Sequence, residues 1–205
     1  MRAELPFESC YADSMNKPSA IIEEQEEPAR FSVEEFMAMA EAGAFEDFAG
    51  KIELVEGVIV RMSPAQSEHF WYQRQLFIKL HALFGEDRDG WIVGQEPTVR
   101  IGKITVRDPD IAILRPPIVG KRAIFEAQNV LLVAEVSDSS LGKDRGSKRL
   151  SYAKAMIPNY WIVDIKGRRV EVMSRPQKGK YQDDIFVSFG EPIAVPGTDE
   201  SISID

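Results

Sequence analysis

An apolar run at residues 130 to 136 constrains the fold of this 205-residue chain more than any other feature. Its sequence, Val-Leu-Leu-Val-Ala-Glu-Val, is nearly all apolar, which is typical of a strand buried on both faces in the centre of a sheet. The run contains one charged residue, Glu135. A buried carboxylate is costly unless it is paired or bound to a cation, so this residue predicts a partner in the folded protein.

The rest of the pattern predicts a mixed sheet flanked by helices, preceded by a short helix and a β-hairpin. Ser32 and Glu35 have the spacing of a capping box, which favours a helix that starts there and ends near Gly43. The predicted strands are 52–55, 58–62, 91–93, 99–101, 111–114, 130–136, 160–164, 169–173 and 185–189. The order of helices and strands is typical of an α/β (α+β) fold.

Two longer helices are predicted on either side of the central strand in the sequence. Residues 67 to 84 carry apolar side chains at helical spacing, and we expect these to face the core: Phe70, Trp71, Leu76, Phe77, Leu80, Leu83 and Phe84. Residues 144 to 156 predict a second helix, closed by Pro158, with Leu150, Ala153 and Met156 facing inward.

Charge is distributed unevenly along the chain, whose net charge is −8. Residues 1 to 50 contain 3 basic and 12 acidic residues, whereas residues 141 to 180 contain 11 basic and 3 acidic residues. We predict that residues 1–29 form a disordered acidic tail, because they lack any periodic apolar pattern, and that residues 30–205 form a single domain. The basic block fits a phosphate-facing surface and ordinary solvated charge about equally well.

Several functional classes are excluded by composition. One cysteine, Cys10, and two histidines cannot build a clustered Cys/His zinc site, and the single cysteine is typical of a reducing cytoplasm. No apolar run approaches the roughly 20 residues of a membrane span, and the acidic N-terminus does not resemble a signal peptide. We therefore expect a cytoplasmic protein with no membrane partner.

Asp110, Glu135 and Lys148 form the candidate catalytic group. Asp110 precedes a predicted strand and Glu135 lies in the central one, so two carboxylates on neighbouring strands could hold Mg²⁺ beside a lysine. Each residue also has a simpler interpretation. Asp110 could be a turn residue after Pro109; Glu135 could pair with Lys148 or Arg149; Lys148 could be an exposed residue paired with Asp144.

At these residues the chain resembles the PD-(D/E)XK nuclease superfamily, and more closely its Uma-type restriction endonuclease family. The resemblance runs from about Phe31 to Pro196. It is carried by these segments: Glu53-Leu54-Val55-Glu56-Gly57, Met62-Ser63-Pro64 with His69, Pro109-Asp110, Val133-Ala134-Glu135-Val136, Lys148-Arg149-Leu150-Ser151-Tyr152-Ala153 and Pro158-Asn159-Tyr160-Trp161-Ile162-Val163-Asp164.

The resemblance implies a restriction-endonuclease-like core, a divalent metal (Mg²⁺ or Mn²⁺) held by Asp110 and Glu135, and hydrolysis of DNA phosphodiester bonds. The lysine of the (D/E)XK element would fall at Ser137, so Lys148 on the next helix is its replacement, with Tyr152 one turn further on.

Glu53 and His69 are possible supporting residues, although a surface strand position and a packing role, respectively, explain them as simply. The alternative function is a catalytically degraded nucleic-acid-binding or oligomeric scaffold domain of the same fold. An exposed sheet edge would allow a homodimer.

Overall fold

The computed structural model describes residues 28–48, 50–62, 66–115 and 124–205. The predicted acidic tail therefore lies almost entirely outside the described residues. The helices are α1 (Val33–Glu41), α2 (Ser67–Phe84), α3 (Leu141–Lys143) and α4 (Arg149–Lys154), and a π-helical turn (Asp144–Lys148) joins the last two. We call residues 141–154 the C-terminal helical segment. None of the helices in the described ranges is long and apolar enough to cross a membrane.

Thirteen short and long strands are present in the described part of the chain. They are β1 (Ile52–Val55), β2 (Val58–Arg61), β3 (Ile92–Gln95), β4 (Val99–Arg100), β5 (Val106–Arg107), β6 (Ile111–Leu114), β7 (Phe125–Glu126), β8 (Val130–Ser137), β9 (Asn159–Asp164), β10 (Arg169–Gln177), β11 (Lys180–Ser188), β12 (Ile193–Ala194) and β13 (Ser201–Ile202).

The main sheet has the order β11-β10-β9-β8-β6-β3. Its strands are antiparallel except for β8 and β9, which run parallel and are joined by the C-terminal helical segment. The predicted central strand, β8, is buried along its length apart from one half-buried position. The predicted fold class, a mixed sheet flanked by helices, is confirmed.

Each face of the main sheet packs against a different helix, because side chains alternate between the faces along a strand. On one face, Leu132 and Ala134 of β8 pack with Leu76 and Leu80 of α2. On the other face, Val133 packs with residues of β9 and with the C-terminal helical segment, including Tyr152, Ala153, Tyr160 and Ile162. Glu135 has the same parity as Val133, so its side chain points toward the C-terminal helical segment.

The predicted N-terminal helix and hairpin form a smaller layer. Ser32 caps α1, and Ser32 and Glu35 exchange the reciprocal hydrogen bonds of a capping box. Strands β1 and β2 form the hairpin, and they continue into a second sheet of order β2-β1-β5-β4-β7. Val33, Phe36, Leu54 and Val106 make the core of this layer. Because β5 leads directly into Asp110 and β6, the layer abuts one end of the main sheet.

Four of the predicted core residues are exposed, and those predictions are wrong. Leu150 and Met156 are 44% and 58% exposed, and Phe70 and Trp71 are 60% and 53% exposed. In the C-terminal helical segment the face toward the sheet is carried by polar side chains spaced four residues apart, Asp144, Lys148 and Tyr152, all buried. The prediction placed apolar residues on this face of the helix. Polar residues occupy it because the face covers the buried carboxylate of Glu135.

Candidate metal and phosphodiester site

Asp110 and Glu135 lie opposite each other at one end of β6 and β8. The antiparallel register pairs Ile111 with Ala134, and its continuation by one residue brings Asp110 level with Glu135. The backbone N–H of Val136 donates to Asp110 Oδ2 at 2.8 Å, which fixes the aspartate against the central strand. Directly opposite residues of an antiparallel pair project on the same side of the sheet, so the two carboxylates share one space.

That space is a cavity of about 630 Å³. Five of the seven predicted site residues line it: Glu53, His69, Asp110, Glu135 and Lys148. The other two, Ser137 and Tyr152, are buried behind it; Ser137 contacts Ser140 and Tyr152 contacts Glu135, and both of these partners line the cavity. Residues from the N-terminal layer, from α2, from β8 and from the C-terminal helical segment thus converge on one site.

The carboxylate of Glu135 is held from the C-terminal helical segment. The Tyr152 hydroxyl donates to Oε1 at 2.7 Å, and Lys148 Nζ lies 2.8 Å from Oε2. The side chains of Lys148 and Glu135 are 8% and 2% exposed. The buried ion pair that the sequence offered as an alternative for Glu135 therefore exists, and its partner is Lys148. The third alternative was an exposed Lys148 paired with Asp144; the pair is present at 3.3 Å, but the exposure is wrong.

Ser137 contacts Lys148 indirectly, through the carboxylate of Asp144. Its hydroxyl donates to the carboxylate of Asp144, which also accepts a hydrogen bond from the Ser140 hydroxyl at 2.6 Å. The other oxygen of Asp144 lies 3.3 Å from Lys148 Nζ. At the position where the resemblance places a lysine, this chain has a serine that anchors the acidic partner of Lys148. Asp144 was not predicted to belong to the site.

Asp110 is held by a lysine and a histidine of the N-terminal half. His69 Nε2 lies 3.0 Å from Oδ2, and Lys51 Nζ lies 3.1 Å from Oδ1 and 3.1 Å from Glu96 Oε1. Burial raises the pKa of Asp110, but the hydrogen bond with His69 and the charge of Lys51 outweigh it and lower the pKa to about 2. Asp110 is therefore ionised at neutral pH, as a metal ligand must be.

The pKa of Glu135 is shifted in the opposite direction from that of Asp110. Burial raises its pKa to about 7; the charge of Lys148 works against the rise, and the carboxylates of Asp110 and Asp144 add to it. Burial lowers the pKa of Lys148, but Glu135 and Asp144 outweigh it, so that the lysine stays charged. The cations of the site thus do not fully offset the burial and mutual repulsion of its carboxylates, and a further cation there would be stabilised.

Glu53 is not a surface residue. Its side chain is 1% exposed and accepts from Arg107 Nη1 at 2.8 Å and from the Asp108 backbone N–H at 3.2 Å. These contacts tie β1 to the segment that leads into Asp110. Asp108 itself lines the cavity, and burial raises its pKa to about 6.

The donor chemistry of the site fits Mg²⁺ or Mn²⁺. Asp110 and Glu135 supply carboxylate oxygens, and Mg²⁺ is commonly held by one or two carboxylates, with waters and substrate phosphate completing its shell. Among the described residues no three His, Cys, Asp or Glu side chains form a group arranged to hold a metal ion. A dedicated zinc cage of protein ligands is therefore not formed by this part of the chain.

Lys51, Glu96 and Gln73 belong to the site but were not singled out in the sequence. Gln73 donates to the backbone carbonyl of Asp110 at 3.1 Å and to Glu96 at 3.3 Å. Gln73 follows His69 by four positions on α2, so a helical projection from His69 would have indicated it. Lys51 precedes a hairpin strand and carries no comparable signal.

Six of the eleven basic residues in the block at residues 141 to 180 form ion pairs. Arg145 pairs with Glu171 and Asp164, Lys148 with Glu135 and Asp144, and Arg149 with Asp184; Lys166, Arg169 and Arg175 pair with Asp138, Asp164 and Asp183. Lys143 is exposed and lines the cavity. The other basic residues of the block are exposed: Lys143, Lys154, Arg168, Lys178 and Lys180.

Comparison with known proteins shows the family of the chain and agrees with its fold. The model of the Uma2 family, described as "Putative restriction endonuclease", matches residues 33–205. A crystal structure described as a putative nuclease belonging to DUF820, from Anabaena variabilis ATCC 29413, is similar in fold: its TM-score is 0.60 at 19% sequence identity, over 84% of this chain and 94% of that chain. No curated protein is significantly similar. Since the family match covers most of the chain, the protein belongs to the Uma2 family of putative restriction endonucleases.

Proposed function

We propose that the protein is a Mg²⁺- or Mn²⁺-dependent endonuclease that hydrolyses phosphodiester bonds of DNA, acting in the cytoplasm. Asp110 and Glu135 are the proposed metal ligands and Lys148 the proposed catalytic cation. The observation that carries this proposal is the meeting of the three residues in one cavity, with Lys148 Nζ 2.8 Å from Glu135 although Ser137 occupies the usual lysine position. Family membership supports the reaction class.

Lys148 supplies positive charge beside the proposed ligands. When bound, the divalent ion lowers the pKa of a water and neutralises charge on the phosphate. Lys148 has three N–H donors and contacts one oxygen each of Glu135 and Asp144, so a third donor can reach a phosphate oxygen or the attacking water. A positioned cation of this kind stabilises charge that develops on the phosphate as the bond breaks.

The supporting residues hold these groups in place. The Tyr152 hydroxyl orients Glu135, and Ser137 orients Asp144, which in turn contacts Lys148. His69 positions the carboxylate of Asp110. Glu53 accepts hydrogen bonds on both carboxylate oxygens, from Arg107 and from the Asp108 backbone. Its role is therefore to stabilise the segment before Asp110 rather than to bind the metal. A site held in this way is preorganised for its ligand.

The second candidate function is a catalytically degraded nucleic-acid-binding or scaffold domain of the same fold. Two observations favour it: Ser137 stands where the lysine is expected, and Lys148 is engaged by two carboxylates. A homodimer remains a prediction, for which β3 and β11 offer the two edges of the main sheet.

A cleavage assay separates the two functions. The full chain is incubated with single-stranded, duplex and branched DNA in Mg²⁺, in Mn²⁺ and in EDTA, beside Asp110→Asn and the exposed control Asp183→Asn. We expect metal-dependent cleavage by the wild type and the control, and a loss of roughly 10²-fold or more in Asp110→Asn with an unchanged circular dichroism spectrum. Cleavage that is absent in every metal would favour the degraded domain, whereas cleavage that survives in Asp110→Asn would remove Asp110 from the proposed metal ligands.

A further inference from the structure

The two carboxylate oxygens of Asp110 have different surroundings. Oδ2 accepts from the Val136 backbone N–H at 2.8 Å and lies 3.0 Å from His69 Nε2. In the described part of the chain, Oδ1 has a single partner, the ammonium of Lys51 at 3.1 Å. Since each carboxylate oxygen has about two acceptor positions, Oδ2 is fully used by the protein. Oδ1 is therefore the oxygen that a divalent ion would take, and Lys51 already places a positive charge beside it.

The ammonium of Lys51 is surrounded by oxygens. Besides Asp110 Oδ1, it contacts Glu96 Oε1 at 3.1 Å and the Asp108 backbone carbonyl at 3.4 Å. Carboxylate and carbonyl oxygens are also the donors that hard divalent cations take. Lys51 thus offsets carboxylate charge at this end of the cavity, and its charge would repel a divalent ion held by Asp110.

Lys51 is held less firmly than Lys148, the other lysine at the proposed metal ligands. Lys148 lies between Glu135 and Asp144, and the three side chains are 8%, 2% and 1% exposed. The side chains of Lys51 and its partner Glu96 are 26% and 45% exposed. Breaking a buried pair is strongly destabilising, whereas a pair that reaches solvent contributes little. Lys51 is therefore the lysine that can leave its carboxylate when a divalent ion binds.

We propose that Lys51 holds the cation position at Asp110 Oδ1 in the metal-free protein and contacts the substrate phosphate once a divalent ion has taken that position. The Met62 N–H donates to the Lys51 carbonyl at 2.8 Å, so the backbone is fixed and the movement is confined to the side chain. The contact with Glu96 can persist, because Gln73 donates to that carboxylate at 3.3 Å and holds it in place. Two of the three N–H donors of Lys51 are then free.

The cavity brings the displaced lysine to the phosphate. Lys51, Glu96, Asp110, Glu135 and Lys148 line the same cavity, so a phosphodiester at the two proposed ligands lies within the space that Lys51 faces. An ammonium that has lost a carboxylate partner gains from a charge-assisted hydrogen bond to phosphate. The inference rests on the proposed metal-dependent nuclease function and adds a substrate-binding residue to it.

The test follows the reactivity of individual lysines. The full chain is treated briefly with an acetylating reagent in EDTA, in excess Mg²⁺, and in excess Mg²⁺ with thymidine 5′-phosphate, a product-like nucleotide that has no phosphodiester bond to cleave. Mass spectrometry measures acetylation at each lysine. Lys79, which is 30% exposed and paired with Asp205, is the internal control.

We expect acetylation of Lys51 to rise roughly threefold or more in Mg²⁺, because the carboxylate that shields the amine is lost, and to fall again when the nucleotide is added. Acetylation of Lys79 should stay the same in all three conditions. In Glu135→Gln, which lacks a proposed ligand but keeps every contact of Lys51, Mg²⁺ should leave the acetylation of Lys51 unchanged.

Calorimetric titration of Mg²⁺ into wild type and Lys51→Met separates this proposal from the nuclease function. Mg²⁺ binding without a rise in Lys51 acetylation would overturn the displacement, and a rise that the nucleotide does not reverse would overturn the phosphate contact; the nuclease function stands in both cases. Binding to Lys51→Met but not to wild type would support the position assigned to Lys51 and contradict a metal-dependent function of the native protein. If neither protein binds Mg²⁺ or Mn²⁺, both proposals fail.

Discussion

Two clusters of charged residues with buried carboxylates lie beside the C-terminal helical segment, and they differ in how well their charges are balanced. The cavity cluster contains Asp110, Glu135, Asp144 and Lys148. The rear cluster contains Arg145, Asp164, Arg169 and Glu171, in which Arg145 contacts both carboxylates and Arg169 contacts Asp164. None of the rear cluster residues lines the cavity.

The cavity cluster has more negative charge than its cations offset. Burial and neighbouring carboxylates keep the pKa of Glu135 at about 7 despite Lys148. In the rear cluster each carboxylate contacts an arginine, and the arginine side chains are 34% and 39% exposed, so their charge is also solvated. Because buried carboxylates occur in both clusters, burial of charge alone does not identify a site. The proposed site rests on the excess of carboxylate that faces the cavity.

Lys148→Met should give the largest change, because this side chain acts in both stability and the proposed reaction. Leaving Glu135 and Asp144 without their cation should lower the free energy of unfolding by roughly 3–5 kcal/mol in metal-free protein. Cleavage should fall by about 10²-fold or more. Chemical denaturation and single-turnover cleavage measure the two effects; full stability together with full cleavage would remove Lys148 from the site.

Arg145→Met makes the equivalent change in the rear cluster. Because Arg145 is one third exposed, its ion pairs are partly screened, and we expect a loss of about 1–3 kcal/mol in the free energy of unfolding. Cleavage per folded molecule should not change, since the rear cluster lies outside the cavity. A loss of cleavage at temperatures where the variant is fully folded would mean that the two clusters are coupled.

Lys51→Met tests the balance of charge inside the cavity. Lys51 Nζ is 3.1 Å from Asp110 Oδ1 and would repel a divalent ion there. Its removal should increase Mn²⁺ affinity by about an order of magnitude, equal to about 1.4 kcal/mol. Isothermal titration calorimetry measures the change. Weaker Mn²⁺ binding in this variant would instead indicate that Lys51 holds Asp110 in position for the metal.

Arg149→Ala should have the smallest effect and calibrates the others. Arg149 is adjacent to Lys148, but its ion pair with Asp184 lies at the surface, both side chains being about 30% exposed. Exposed pairs contribute roughly 0–1 kcal/mol, so thermal unfolding and cleavage should both remain close to wild type. A loss comparable to that of Lys148→Met would show that neighbouring charge, rather than the cavity pair, controls stability.

The sequence predicted the strands and helices that build the site better than the positions of individual side chains. Apolar periodicity and proline or glycine breaks are local signals, and they were sufficient to predict the buried strand, the polar break at Asp110 and the helix that follows Glu135. The same rule misplaced Phe70, Trp71, Leu150 and Met156, since it assigns every apolar residue to the core even where other residues form the buried face of the helix.

Residues brought together only by tertiary structure carried the weakest signals. Lys51 meets Asp110 because the N-terminal layer abuts the end of the main sheet, and Glu96 meets it because β3 pairs with β6; no local spacing encodes either contact. Asp144 was considered only as a surface partner for Lys148, and its hydrogen bond from Ser137 depends on the strand and the helical segment meeting in space. By contrast, the pairing of Glu135 with Lys148 was weighed in advance because a buried carboxylate demands a partner.

Calorimetric titration of Mn²⁺ into metal-free wild type, Glu135→Gln and Glu171→Gln tests the central claim most directly. Both variants remove one buried carboxylate charge, the first from the cavity cluster and the second from the rear cluster. We predict binding to the wild type and to Glu171→Gln, and a loss of roughly 100-fold or more in affinity in Glu135→Gln, because a ligand oxygen is lost. Equal Mn²⁺ affinity in all three proteins would contradict the assignment of Glu135, and with it the metal site at the end of β6 and β8.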